Sequence, residues 1–138
     1  MAYLFDTSAL LAHYRNEPGA EQVHALFTAE DPELYIASVS LPEFARRLRD
    51  LGQDQAQIQS VLADYRHMLS GVVAIDEAVA EASAELLHVV STRLPLVDAL
   101  IAAAARVQGA ILVHRDAHLR VIPADWVASI DLEATAAP

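Results

Sequence analysis

The chain has 138 residues, enough for one domain with a real hydrophobic core, and 54% of them are hydrophobic, which argues against disorder. It contains no cysteine, which excludes disulfides and thiolate metal sites. The formal net charge of −10 argues against a broad nucleic-acid coat, because such binding depends on neutralising phosphates, but it is compatible with local arginine contacts or a bound metal.

The sequence gives no indication of a membrane segment. No apolar run reaches the ~20 residues that span a bilayer, and the first residues lack the pattern of a secretory signal. We therefore expect no membrane contact and a cytoplasmic location. An acidic surface also suits a basic protein partner.

Short apolar runs alternate with amphipathic stretches along the chain. The apolar runs predict strands at 3–5, 34–37, 72–75, 110–113 and 127–130. The stretches between them predict helices at 7–14, 20–29, 40–51, 54–69, 77–90 and 95–108, with one helical turn near 115–119. Strands that alternate with helices favour right-handed crossovers and a mainly parallel sheet. We expect one domain over residues 1–138, frayed after about residue 132.

Local signals mark several helix ends. The segment Ser40-Leu41-Pro42-Glu43 has the pattern of a capping box with a proline near the helix start. Asp76 is a predicted cap, and Gly109 is expected to close the helix at 95–108. That helix is apolar almost all round, which predicts a central, buried position.

Four acidic residues occupy comparable places in this pattern. Asp6, Glu43 and Asp116 follow predicted strands, and Asp98 opens the helix that leads into the fourth strand. Open α/β sheets bind ligands at the carboxyl ends of their strands. Four carboxylates in one crevice repel each other unless a cation lies between them. A site rich in oxygen and free of cysteine suits Mg²⁺ or Mn²⁺.

Each acid taken alone also has a purely structural interpretation. Asp6 and Asp116 can cap helical turns, Glu43 can complete the capping box with Ser40, and Asp98 can complement a helix dipole. The joint pattern is what favours a metal site.

The chain resembles the PIN-domain family of metal-dependent nucleases. The matching segments are Leu4-Phe5-Asp6-Thr7-Ser8, Leu41-Pro42-Glu43-Phe44, Leu96-Val97-Asp98-Ala99-Leu100-Ile101-Ala102-Ala103 and Leu112-Val113-His114-Arg115-Asp116. Their order and separations, and the total length, are similar to the small VapC-type toxins of bacterial type II toxin–antitoxin systems. The resemblance covers nearly the whole chain and implies a three-layer α/β/α sandwich around a central, mainly parallel sheet of four to five strands.

The resemblance also implies a site and an activity. It implies that Asp6, Glu43, Asp98 and Asp116 bind one or two Mg²⁺ ions, and that Ser8 helps to order water or a substrate phosphate. It implies a Mg²⁺-dependent endoribonuclease that acts as a toxin on tRNA, rRNA or mRNA. Homodimers and a cognate antitoxin protein are the implied partners.

Two histidines near Asp116, His114 and His118, are not part of the family pattern described above. Many relatives carry Thr or Ser at the position of His114, so a hydroxyl contact there is not expected. His114 and His118 flank Asp116, and an imidazole metal ligand is a less favoured alternative to surface or substrate-side positions.

Arginines and apolar stripes are open to two interpretations. Some of the arginines near the predicted acids can grip RNA phosphates, or they can form a solvated helix face; these are Arg46, Arg47, Arg49 and Arg115. The apolar residues of the two helices after the second strand can bind a partner's helix, or they can form core or a dimer seam; these are Phe44, Leu48, Ile58 and Leu62.

Two rival functions remain beside the nuclease. A hydrolase that uses Asp6 as nucleophile would need a second acid where Ser8 stands, together with a lysine, and the chain has neither. The alternative outside enzymes is a catalytically inactive PIN-like module that acts only by binding partners.

Overall fold

The computed structural model describes residues 1–133. Its strands are β1 (Ala2–Phe5), β2 (Glu33–Ala37), β3 (Gly71–Val73), β4 (Ile111–His114) and β5 (Ser129–Asp131). Its helices are α1 (Thr7–Tyr14), α2 (Ala20–Thr28), α3 (Ser40–Asp50), α4 (Gln55–Met68), α5 (Glu77–Val89) and α6 (Leu96–Gln108), with a 3₁₀ turn at Ala117–Val121. Each predicted strand and helix is present with small shifts at its ends.

All five strands are parallel, in the order β3-β2-β1-β4-β5. The chain winds outward from β1 through β2 and β3, and then returns to the other side of β1 as β4. Phe5 pairs with Val113, and the amide of Asp6 donates to the Val113 carbonyl at 2.9 Å. The carboxyl ends of β1 and β4 therefore meet where the winding direction reverses, which is where open α/β sheets place their sites.

Alternate residues of each strand serve two separate cores. Leu4 and Leu112 pack with α5 and α6, whereas Phe5 and Val113 pack with the helices α1 to α4. This alternation follows from the two-residue period of a strand, and it gives the sheet one helical layer on each face. The predicted α/β/α sandwich with a parallel sheet is confirmed.

Helix α6 lies at the centre of the first core. A run of fully buried alanines, Ala102–Ala105, lets its backbone approach the sheet closely. Gly109 ends the helix in the left-handed conformation at φ 69°, as predicted. The consequence for the site is that the amino end of α6, with Asp98 in its first turn, is held rigidly at the edge where β1 and β4 end.

The predicted capping box at the start of α3 is wrong. Val39 is the N-cap, Ser40 is the first helical residue, and no side chain caps this end. The buried Ser40 hydroxyl has no hydrogen-bond partner within residues 1–133. Because α3 begins one residue earlier than the capping pattern requires, the Glu43 carboxylate is free for another contact. The stripe residues Phe44, Leu48 and Ile58 are buried core.

A tight turn joins α1 to α2 without a glycine in the position that usually needs one. Asn16 adopts φ 52°, and the amides of Asn16 and Glu17 donate back to the carbonyls of His13 (3.2 Å) and Ala12 (2.9 Å). This is the Schellman pattern that closes a helix end, with asparagine tolerating the left-handed region. It fixes the backbone of Glu17.

The turn continues into Gly19, which contacts the C-terminal part of the described chain. A Cβ on Gly19 would lie 2.8 Å from Leu132 Cβ, and the φ of Gly19 is 98°. Leu132 is fully buried. The rest of the predicted frayed tail, residues 134–138, lies outside the described residues.

Among residues 1–133, none of the helices has the length and apolar character needed to cross a bilayer.

Candidate metal centre

Asp6 begins the site at the end of β1. It is the N-cap of α1, and its Oδ2 accepts hydrogen bonds from the Ser8 amide at 3.1 Å and the Ser8 hydroxyl at 2.5 Å. The side chain is almost fully buried, yet its other oxygen, Oδ1, has no hydrogen-bond partner among the described residues. A buried carboxylate oxygen without a partner is costly, so this atom is suited to a ligand.

Ser8 links the two strands that meet at the site. While its hydroxyl donates to Asp6, the same oxygen accepts a hydrogen bond from the Arg115 amide at 2.9 Å. Ser8 therefore closes the helix cap and also ties the loop after β4 to the end of β1. The two interpretations of Ser8, cap residue and site residue, are compatible.

Thr7 positions Glu43, which the sequence did not lead us to expect. The buried Thr7 hydroxyl donates a hydrogen bond to Glu43 Oε1 and so connects α1 with α3. The only signal in the sequence was the place of Thr7 between Asp6 and Ser8. This contact replaces the predicted capping role of Glu43 and turns its carboxylate toward the other acids.

Asp98 and Asp116 approach each other near the exposed side of the site. His118 Nδ1 lies 3.2 Å from Asp116 Oδ1 and 3.8 Å from Asp98 Oδ2. One ligand atom from each of these three residues lies within 4.8 Å of the others, which is a spacing that a metal ion can bridge. Asp116 also caps the 3₁₀ turn through the His118 amide at 2.9 Å.

The carboxylates share one electrostatic environment. Burial raises the pKa of Asp6 to about 6; the Ser8 hydrogen bonds oppose this rise, and the charges of Glu43 and Asp116 add to it. Burial likewise raises the pKa of Asp98 to about 7, with further contributions from Asp6, Asp116 and Glu43 and a small opposing one from His118. Four predicted acids thus repel one another at close range. A divalent cation would relieve the repulsion and satisfy Asp6 Oδ1.

The site opens into a cleft of about 480 Å³. The four acids lie in its lining together with Thr7 and Ser8, and arginines line it as well: Arg15, Arg46, Arg47 and Arg115. Arg49 points outward from α3 as an exposed residue and lies apart from this lining. Arg15 was not anticipated, because it lies at the opposite end of α1 from Asp6.

The sequence suggested a surface or substrate-side position for His114, but the residue is buried. It is 1% exposed at the end of β4, and its Nδ1 accepts a hydrogen bond from the Asp116 amide at 3.2 Å. Burial lowers the pKa of its imidazole, partly offset by the nearby Asp131 and Asp116. It is buried because β5 covers the outer edge of β4, with Asp131 paired to His114. His114 supports the backbone of Asp116 from behind.

The model of the PIN domain family matches residues 3–125 of the chain. The chain belongs to the PIN-domain family. PIN domains are typically nucleases that bind a divalent metal. None of the curated protein sequences matches the chain.

Several solved structures have the same fold at low sequence identity. VapBC2 from Rickettsia felis, bound to a DNA fragment from its promoter, is 20% identical with a TM-score of 0.74, and the match covers 95% of this chain and 98% of that chain. VapBC-1 from nontypeable Haemophilus influenzae is 19% identical with a TM-score of 0.74, and the match covers 96% of this chain and 99% of that chain. DNA-bound VapBC from Salmonella typhimurium is 18% identical with a TM-score of 0.71, and the match covers 96% of this chain and 98% of that chain.

Proposed function

We propose that this chain is a Mg²⁺-dependent endoribonuclease and the toxin of a toxin–antitoxin pair. The observation that carries the proposal is the convergence of Asp6, Glu43, Asp98 and Asp116 on one cleft whose lining also carries arginines. Nuclease chemistry needs both features, since the acids can hold a cation and the arginines can hold the phosphates of the substrate.

The donor set fits a hard divalent cation. Carboxylate oxygens are the ligands that Mg²⁺ prefers, with Mn²⁺ as the alternative ion, and the unpartnered Oδ1 of Asp6 is available to bind. In this proposal Asp6, Asp98, Glu43 and Asp116 are the metal ligands. When bound, Mg²⁺ would supply an activated water and stabilise charge on the scissile phosphate.

The residues of the chain have separate tasks in the proposed reaction. Ser8 holds Asp6 and the loop of Arg115 in fixed relation through its two hydrogen bonds. Thr7 orients Glu43, and His114 supports the backbone at Asp116. No lysine is available as a general base, since all nine residues in the combined lysine and arginine count are arginines. Hydrolysis in this manner leaves a 5′-phosphate and a 3′-hydroxyl.

The fold similarity to VapBC structures supports an antitoxin as partner. A homodimer is part of the same proposal. Helices α5 and α6 pack against each other and carry four exposed large apolar residues, which a second copy could cover: Leu87, Val89, Leu96 and Val107.

The direct test is cleavage of purified tRNA, rRNA and mRNA by the purified chain with Mg²⁺ or with EDTA. We expect fragments only with Mg²⁺, and none from the Asp6→Asn or Asp98→Asn variants. Cleavage that persists in EDTA or in both variants would exclude the acidic metal mechanism. Mapping fragment ends after brief induction in cells would identify the target RNA.

A cellular test separates the toxin from an inactive partner-binding module. Expression of the chain alone should arrest growth, co-expression of the neighbouring open reading frame should restore it, and Asp98→Asn should not arrest growth. A chain that binds that partner tightly but neither cleaves RNA nor arrests growth would be the inactive module instead.

A further inference from the structure

One carboxylate on the rim of the cleft bridges two arginines. Glu17 Oε1 lies 3.5 Å from Arg115 Nη1, and Glu17 Oε2 lies 3.8 Å from Arg15 Nη1. All three residues line the cleft that holds the four acids. Two guanidinium groups that converge on one anionic group form the arrangement that also binds a phosphate.

The backbones of this cluster are held in fixed relation to the acids. The Schellman turn after α1 fixes Glu17 and places Arg15 at the helix end. The Arg115 amide donates to Ser8, whose hydroxyl in turn donates to Asp6. A phosphate between Arg15 and Arg115 would therefore have a constant position relative to the proposed cleavage site.

The other two arginines of the cleft differ from this pair. Arg46 and Arg47 lie on α3, on the side of Glu43, and within residues 1–133 neither forms an ion pair. Among the described residues, the cleft thus has two arginines on α3 without an ion pair and two arginines that are paired with Glu17. A single strand that crosses the acids would meet positive charge on both sides.

The ion pairs of Glu17 are weak enough to be exchanged. The side chains of Arg15, Glu17 and Arg115 are 46%, 35% and 26% exposed, and both distances exceed those of a tight ion pair. Exposed ion pairs contribute little to stability, whereas arginine–phosphate contacts are charge-assisted and two-pronged. An RNA phosphate can therefore compete with the Glu17 carboxylate for these arginines.

We infer that Arg15 and Arg115 form a binding site for one phosphate of the RNA backbone, and that Glu17 occupies this site until RNA displaces it. The inference rests on the proposed nuclease function, because it assigns a position to that substrate. Glu17 keeps the two arginines oriented and at the same time screens the cleft from weakly bound anions. RNA binding releases the carboxylate to solvent.

The test measures binding of a short single-stranded RNA by fluorescence anisotropy in the Asp98→Asn background, so that the RNA is not consumed. Glu17→Gln should tighten binding by about twofold to fivefold, the range set by a weak exposed ion pair. The matched control is Glu30→Gln, which removes the same charge from an exposed residue before β2, at the opposite edge of the sheet. We expect this control to leave the affinity unchanged.

The arginines are tested in the same background. The double variant Arg15→Gln/Arg115→Gln should weaken binding by about tenfold and reduce the salt dependence of log affinity by about 0.7, the loss of one phosphate contact on a single strand. Inorganic phosphate should compete with RNA more effectively in Glu17→Gln than in Glu30→Gln. If the double variant has a lowered melting temperature, Arg15→Gln alone should produce a smaller loss of RNA affinity and a smaller reduction of its salt dependence.

The outcomes separate this inference from the proposed function. Glu17→Gln that binds RNA no more tightly than Glu30→Gln would overturn the role of Glu17, and an unchanged salt slope in the arginine variants would overturn the phosphate site. Cleavage is measured separately on the chain without the Asp98 change. RNA that binds as expected but is never cleaved refutes the nuclease and leaves the phosphate site standing.

Discussion

The hydroxyl of Thr7 donates a hydrogen bond to the carboxylate of Glu43, although the two residues belong to different helices. The contact joins the first residue of α1 to the first turn of α3 at the edge of the sheet. It sets the direction of one of the four converging acids. Removing a group that orients a metal ligand typically lowers metal affinity or activity by about 10-fold to 100-fold.

Replacing Thr7 by valine should therefore impair the site more than the fold. The change keeps the shape of the side chain and removes the donor to Glu43, so we expect about tenfold lower Mg²⁺ affinity or cleavage rate. Cleavage as a function of Mg²⁺ concentration measures the effect. The control is Thr28→Val, whose hydroxyl bonds only to carbonyls of α2. Equal Mg²⁺ dependence of both variants would show that Glu43 needs no orientation.

Asp98→Asn should abolish cleavage and yet stabilise the metal-free chain. At pH 8 the carboxyl, whose pKa is raised to about 7, is ionised in a buried position beside other acids. The neutral amide avoids that penalty, so unfolding at pH 8 in EDTA should require about 1 to 3 kcal/mol more. Urea denaturation measures the difference. Asp64→Asn, at an exposed site on α4, should change little; a destabilised Asp98→Asn variant would contradict the repulsion.

Stability without metal should fall as the pH rises. The folded-state pKa values of Asp6 and Asp98, about 6 and about 7, lie above the ordinary value of 3.8. At pH values between the ordinary and the raised pKa, the folded chain therefore binds more protons than the unfolded chain. The stabilisation that comes from protonated Asp6 and Asp98 is fully present below about pH 4 and is lost as the pH rises through 6 and 7. Melting temperatures in EDTA should thus decline between about pH 5 and 8.

Mg²⁺ should reverse that decline in the upper part of the range, because the ion binds the ionised carboxylates. The double variant Asp6→Asn/Asp98→Asn should show a flatter pH dependence and little response to Mg²⁺. No shift of the melting temperature at saturating Mg²⁺ and pH 8 would argue against a preformed acidic site.

His114→Ala should destabilise the chain by about 2 kcal/mol or more. It removes a fully buried ring and leaves the Asp116 amide without its acceptor. His88→Ala, at an exposed position on α5, is the control. His114→Thr restores a smaller acceptor and should recover part of the Mg²⁺ response that depends on Asp116. If His114→Ala retains full stability, the supporting role assigned to the imidazole is wrong.

The parallel sheet and the position of the acids at the ends of its elements were predictable from the sequence, whereas the strand order was found only in the structure. Parallel strands put their carboxyl ends at one edge, and a reversal of winding makes β1 and β4 neighbours, so Asp6 and Asp116 had to come close. These inferences depend only on periodicity and topology. Local patterns are reliable where one element decides the outcome, as with the Asp76 cap of α5.

The sequence did not reveal contacts that depend on two distant elements. The pattern at Ser40 suggested a local bond for Glu43, but the hydroxyl of Thr7 takes its place from another helix. His114 has the polarity of a surface residue, and only the pairing of β5 beside β4 buries it. Arg15 lies in the cleft lining although it ends the helix that Asp6 begins, and no local pattern in the sequence indicates this.

The hydrogen bond from the Arg115 amide to the Ser8 hydroxyl spans 107 positions in the sequence. During translation Ser8 is made early and Arg115 only near the end. For most of synthesis β1 can therefore pair with β2 but not with β4. The four acids cannot converge until Asp98 and Asp116, in the last third of the chain, have been made. Under the proposed function, a growing chain therefore has no assembled site with which to cut the message that encodes it.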